Sequence, residues 1–241
     1  MEKGELEFNV RTYECQPDGS MNLHCLMHHV QEIAYQHAER YDFGYSWMER
    51  DNVYWILINF RMDITRLPRF AERIKLLTWP SGYELIKAFR EFHGFDEGGN
   101  ELFRATSEWM ILDRDNRMPR RPDEFDFHFP KRGERLLGDI DRLRPDREYT
   151  DVGNLMVPYT SIDLNGHVNN TEYVKWGVDA VRRLERKDFR PLSFHISFNA
   201  EVFEGEIMKL MVRRGPGDLY SVRGVKENNG KNAFIMEIIH G

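Results

Sequence analysis

The sequence predicts an α+β protein built as two consecutive halves, each a long helix packed on an antiparallel sheet. Three observations carry this prediction. Each half has one segment with helical apolar spacing, each follows it with alternating apolar runs, and the order of elements is the same in both. At 241 residues, the chain has room for one large domain or two of modest size. Hydrophobic residues make up 41% and charged residues 31%, which excludes a disordered chain.

The first helix is expected over 22–41, where Leu26, Met27, Val30, Ile33, Ala34, Ala38 and Tyr41 form one stripe. Asn22 is placed to cap it and Gly44 to stop it. Strands follow from Val53 to Ile64, from Arg73 to Trp79 and from Glu84 to Phe95, with Pro80-Ser81-Gly82 as a break. The turn at 96–100 leads into a strand with Phe103, Ala105, Ser107, Trp109 and Ile111 on one face. A charged stretch over 114–150 holds Pro119, Pro122, Pro130 and Pro145, and within it 126–150 reads as a crossover linker between domains 1–125 and 151–241.

The second half repeats the pattern. A strand near 151–159 precedes a helix near 169–185, striped by Tyr173, Val174, Gly177, Ala180, Val181 and Leu184. Strands are expected near 191–202, 206–213, 218–226 and 232–239, the last two joined by the hairpin signal Asn228-Asn229-Gly230. Met21-Asn22-Leu23-His24 matches Leu164-Asn165-Gly166-His167, which suggests an alignment of the two helix entrances.

Several function classes lose support. The net charge of −6 argues against a wholly basic nucleic-acid binder, and no apolar run is long enough to span a membrane. No phosphate-binding loop, dinucleotide-binding glycine pattern or nucleophile elbow occurs. His24 and His28 lie one helical turn apart, but no third ligand has recognisable spacing, so no metal or cofactor is expected. Cys15 and Cys25 have no evident activating neighbour and cannot build a disulfide framework. With a charged N-terminus lacking an apolar core, they point to the cytoplasm.

The densest polar cluster is Asp163-Leu164-Asn165-Gly166-His167-Val168-Asn169-Asn170, just before the second helix. Free backbone N–H groups and the positive end of the helix dipole lie at such a place, and a carbonyl oxygen gaining charge is stabilised there. His167 is the side chain able to exchange protons near neutral pH. The same residues also suit an ordinary turn followed by a helix cap. Further on, Leu192, Phe194, Ile196, Phe198, Ala200 and Val202 share one strand face, which puts Glu201 on the other at the strand end.

The run Asp163-Leu-Asn165-Gly-His167-Val-Asn169-Asn170-Thr-Glu-Tyr173 resembles the active-site segment of fatty acyl-acyl-carrier-protein thioesterases of plants and bacteria. The likeness extends to Leu26–Ala34, to 55–69, to Ala105–Met110 and to Pro122-Asp123-Glu124, and so covers nearly the whole chain. It implies two tandem hotdog domains and hydrolysis of acyl-carrier-protein thioesters, releasing free fatty acid and ending chain elongation.

Carried over residue by residue, the resemblance implies catalytic roles for Asp163, Asn165, His167 and Glu201. The family's glutamate precedes a cysteine, whereas here Val202 follows Glu201, which favours water as the attacking group. His167 and Glu201 would take the water's proton, Asn165 and a helix N–H would hold the oxyanion, and Asp163 would orient the loop or the imidazole. The direct base is left open between Glu201 and Asp163. The first half would be the non-catalytic partner, with Met27, Val30 and Ala34 lining an acyl pocket.

The implied partner is acyl carrier protein bearing a fatty acyl chain. Arg114–Arg121 and Arg182–Arg190 are candidate basic docking stretches, and a monomer or homodimer is expected. The alternatives are an acyl-coenzyme-A thioesterase and a non-catalytic acyl-binding hotdog protein. Chain length disfavours a single-hotdog enzyme, which needs about half this many residues.

Overall fold

The long amphipathic segment of the first half forms α1, Leu23–Arg40, and buries Leu26, Met27, Val30, Ile33 and Ala34. It packs on β1, Gly4–Asn9, and β3, Arg73–Glu84. The computed structural model describes residues 1–127, 133–146, 148–185 and 190–241. These fall into two compact units, Met1–Ile140 and Asp141–Gly241, divided inside the predicted crossover at 126–150. Backbone anchors account for the division. The N–H groups of Leu136 and Leu137 donate to Glu91 and Thr106, whereas Leu143 donates to the Ser197 hydroxyl.

The first unit also contains a short helix α2, Tyr45–Asp51, which the sequence reading did not separate from the loop after Gly44. Its remaining strands are β2, Val53–Ile64, β4, Lys87–Asp96, β5, Glu101–Asp113, and the two-residue β6, Pro119–Arg120. The antiparallel order is β1-β3-β4-β5-β2, with β6 on β5. The expected break at Pro80-Ser81-Gly82 is a bulge, through which β3 continues to Glu84.

The second unit contains β7, Thr150–Met156, α3, Asn170–Leu184, β8, Pro191–Phe198, β9, Ile207–Arg214, β10, Leu219–Lys226, and β11, Asn232–His240. Its order is β7-β9-β10-β11-β8, the order of the first unit element for element. Helix α3 packs on β7, β9, β10 and β11. Strand β8 ends at Phe198, not at Val202, so Glu201 stands in the loop before β9. The alternation misled because Val202 is fully buried from the loop, while Leu192, at the start of the pattern, is 49% exposed.

A second correspondence lies in the sheets. Gly94 on β4 pairs with Phe103 on β5, and Gly224 on β10 pairs with Phe234 on β11. At either glycine a Cβ would lie 2.2 Å from Cε1 of the partnering ring. In both sheets the register shifts immediately after the glycine, so the strand bends where the ring covers the bare backbone.

Among the buried charged groups of the first unit are the neighbours Glu91 and Arg90. The carboxylate of Glu91 accepts from Ser81 Oγ at 2.6 Å, Thr106 Oγ1 at 2.5 Å and the Leu136 N–H at 2.9 Å, and burial pushes its pKa up. Arg90 points its guanidinium at Thr78 Oγ1, 3.2 Å away, and at Nδ1 of His37, 3.4 Å away. Burial drives the His37 pKa down to about 4, and Nε2 of the neutral ring donates to the Glu2 carbonyl at 2.9 Å.

Candidate active site

Two loops of the second unit converge: 157–169, which leads into α3, and 199–206, which leads into β9. The first opens with a 3₁₀ turn, Tyr159–Ser161. It then closes on itself through Asp163 N–H to His167 O at 2.9 Å, Gly166 N–H to Asp163 O at 3.0 Å, and Asn169 N–H to Ser161 O at 2.9 Å. Gly166 supplies the left-handed residue this turn needs, at φ +76°. Val168 N–H donates to Val202 O at 2.9 Å and joins the two loops.

This frame sets the side chains. Glu201 Oε2 lies 3.7 Å from His167 Nε2, both side chains are about a quarter exposed, and the exposed Phe203 ring stands edge-on to the imidazole at 5.1 Å. Asp163 is engaged differently, since its Oδ1 accepts the Asn165 N–H at 2.8 Å and so braces the turn. Burial raises the Asp163 pKa, and hydrogen bonding from Asn165, the charge of the nearby His167 and the His167 backbone N–H pull the other way. Asn165 is exposed.

Asn169 caps α3, its Oδ1 accepting from Thr171 N–H at 3.0 Å, while its carbonyl accepts Glu172 N–H at 3.0 Å. Among the described residues, the N–H of Asn170 meets no acceptor. The structure therefore gathers Asp163, Asn165, His167 and Glu201 around one helix entrance, with Glu201 as the carboxylate facing the imidazole.

The first unit has the same frame with different side chains. There Gln16 N–H donates to Ser20 O, Gly19 N–H to Gln16 O, Asn22 N–H to Glu14 O and Met21 N–H to Pro68 O. Matching these bonds to those above puts Gln16 at the place of Asp163, Ser20 at that of His167, Asn22 at that of Asn169 and Leu67 at that of Glu201. The expected alignment of Asn22 with Asn165, His24 with His167 and Ser20 with Asp163 is thus displaced by four residues. Asn22 does stand at the helix cap, but its Nδ2 donates to Glu14 O at 3.1 Å.

Met27, Val30 and Ala34 share the buried face of α1, and one turn further on that face carries His37. The His24 and His28 rings stand edge to face at 6.0 Å. Cys25 does have a neighbour, His24 Nε2, 3.4 Å from its sulfur. The arginines of 114–121 are largely matched by nearby acids, Arg114 by Glu49, Arg120 by Asp113 and Glu124, and Arg121 by Asp123. Of the other basic stretch, 186–189 lies outside the described residues.

A fold of two hotdog units with a His–carboxylate pair at a helix entrance defines the class. The acyl-ACP thioesterase N-terminal domain matches residues 2–126, and the C-terminal domain of the same family matches residues 145–239. The chain belongs to the acyl-ACP thioesterase family.

It is 24% identical over 195 residues to oleoyl-acyl carrier protein thioesterase 1, chloroplastic, of Arabidopsis thaliana, covering 73% of this chain and 54% of that protein. It is 25% identical over 203 residues to the chloroplastic palmitoyl-acyl carrier protein thioesterase of the same plant, covering 77% and 49%. The chain thus spans about half the length of the curated relatives it matches. In fold it is similar to an acyl-ACP thioesterase from Bacteroides thetaiotaomicron, with a TM-score of 0.88, 21% identity and coverage of 99% and 98%. It is likewise similar to the 12:0-ACP thioesterase from Umbellularia californica, with a TM-score of 0.84, 19% identity and coverage of 98% and 96%.

Proposed function

We propose that the protein hydrolyses fatty acyl-acyl-carrier-protein thioesters, releasing free fatty acid and carrier protein and so ending chain elongation. The observation that carries this reading is the pairing of His167 with Glu201 in a chain whose two halves match both family domains.

Water is the nucleophile in this reading. A gap of 3.7 Å between His167 Nε2 and Glu201 Oε2 lets one water molecule hydrogen-bond to both, at about 2.8 Å each. The pair takes its proton as the oxygen attacks the thioester carbonyl. The amide of Asn165 and the N–H of Asn170 donate to the developing oxyanion, at the positive end of α3. The tetrahedral intermediate collapses, the carbon–sulfur bond breaks, and the thiolate receives a proton from His167. Asp163 holds the turn that presents Asn165 and His167.

Met27, Val30 and Ala34 are proposed as part of the acyl-chain wall, since such pockets are lined by apolar side chains. The test is kcat/KM for one long acyl group presented on carrier protein and on coenzyme A. Preference for the carrier supports the reading. Equal rates or preference for coenzyme A replace it with an acyl-coenzyme-A thioesterase, and no turnover of either with an acyl-binding protein.

A further inference from the structure

Lys226, the last residue of β10, is buried although it carries a charge. Its Nζ donates to the backbone carbonyl of Glu201 at 3.0 Å and pairs with Glu206 Oε1 at 2.8 Å. The same ammonium lies 5.6 Å from the centre of the Phe203 ring. Glu206 in turn accepts the Phe203 N–H at 3.0 Å and Asn228 Nδ2 at 2.9 Å. Loop 201–206 is therefore gripped at both ends by one ion pair whose ammonium is buried, and the loop carries the two side chains that face His167, Glu201 and Phe203.

The first unit supplies a comparison within the same molecule. By the backbone bonds Val10 N–H to Glu72 O and Val157 N–H to Glu206 O, Glu72 stands where Glu206 stands. Glu72 likewise accepts a loop N–H, that of Arg69 at 2.8 Å. Its cation is Arg66, whose side chain is 42% exposed and which also pairs with Asp96. Among the described residues, the cation is buried and placed on the carbonyl of the residue at the Glu201 position only in the unit that carries the His–Glu pair. A desolvated ammonium is costly unless fully bonded, so its presence calls for a reason beyond loop closure, which an exposed arginine achieves in the first unit.

We propose that Lys226 is a positioning residue that sets Glu201 against His167, an inference that rests on the reading of those two as the base pair. Removing the ammonium frees the Glu201 carbonyl, lets the loop relax outward and lengthens the His167–Glu201 contact.

The test uses the full chain. Lys226→Met is expected to lower kcat about 10–100-fold, as loss of an orienting group does elsewhere, with KM changed less than about twofold. Lys226→Arg should recover part of the loss. In a Glu201→Gln background, Lys226→Met should add less than about twofold, because its effect is transmitted through Glu201. The proposal is overturned if Lys226→Met keeps full kcat, or if its penalty multiplies undiminished in the Glu201→Gln background.

A second readout needs no turnover. The ring-nitrogen chemical shifts of His167 in the free, folded Lys226→Met variant should move toward those of Glu201→Gln, and unchanged shifts overturn the proposal. A wild-type protein that hydrolysed no carrier thioester would refute the functional reading, and this measurement would still decide the role of Lys226.

Discussion

Glu201 Oε2 faces His167 Nε2 across 3.7 Å, while Asp163, on the same loop as the histidine, spends its Oδ1 on the N–H of Asn165. The two carboxylates are therefore placed differently, one facing the imidazole and one in the backbone turn, and the proposed mechanism gives them different tasks. Glu201→Gln should lower kcat about 10²–10⁴-fold, the range for a lost general base. Asp163→Asn keeps an oxygen for the Asn165 N–H and should retain most activity. Burial already disfavours the Asp163 charge, so this variant should melt no lower than the wild type. Single-turnover kinetics and thermal melts check both, and a reversed ranking would make Asp163 the base.

Acid should weaken the fold through His37. Its folded pKa is about 4 against an ordinary value of 6.5, so the unfolded chain binds the proton first as pH falls. The neutral ring's contribution is complete above pH 6.5 and is lost progressively down to about pH 4, where the loss amounts to roughly 3 kcal/mol. Urea unfolding at pH 7.5 and pH 4.5 measures it. His37→Gln cannot take up the proton and should show a smaller difference between the two pH values. An equal difference would place the acid sensitivity elsewhere.

Glycine-to-alanine changes at Gly94 and Gly224 should each cost about 1–3 kcal/mol, because the added methyl meets a fixed aromatic ring. Urea denaturation of Gly94→Ala and of Gly94→Ala/Phe103→Leu tests the cause. The second change removes the obstructing ring edge, so the pair should cost less than the sum of the single changes.

Glu91→Ala should be more damaging. It leaves the hydroxyls of Ser81 and Thr106 and the Leu136 N–H without their acceptor inside the first unit, a cost of about 3 kcal/mol or more. Limited proteolysis should then cut within 133–140, the stretch that Glu91 ties to β4. Unchanged resistance there would show that the tie is not what holds this stretch.

Much of this was legible in the sequence. The stripe from Leu26 to Ala34 marked α1, and the motif from Asp163 to Asn170 marked the loop, because helical period and turn chemistry are local properties. Other features were hidden for physical reasons. Helix α2 is too short for a period to show, and Trp47 buries from it into a cluster with Phe43, Val53 and Ile111. The strand at 191–198 read as longer because Val202 is buried for a loop's reason. The alignment of the two entrances slipped by four residues because Asn and His recur by letter, whereas the true correspondence is carried by main-chain bonds, which side-chain identity does not display. Lys226 and Glu206 gave no signal, since a lysine at a strand end ordinarily faces solvent.

The recurrence of one loop frame in both units means that closing the loop does not depend on the His–carboxylate pair. The frame around Gln16, Ser20 and Leu67 closes with no histidine and no acid at the positions that match Asp163, His167 and Glu201. It is a vacant seat of the right shape, and a designer wishing to place a second His–carboxylate pair in this protein would begin there, with the backbone already folded to receive it.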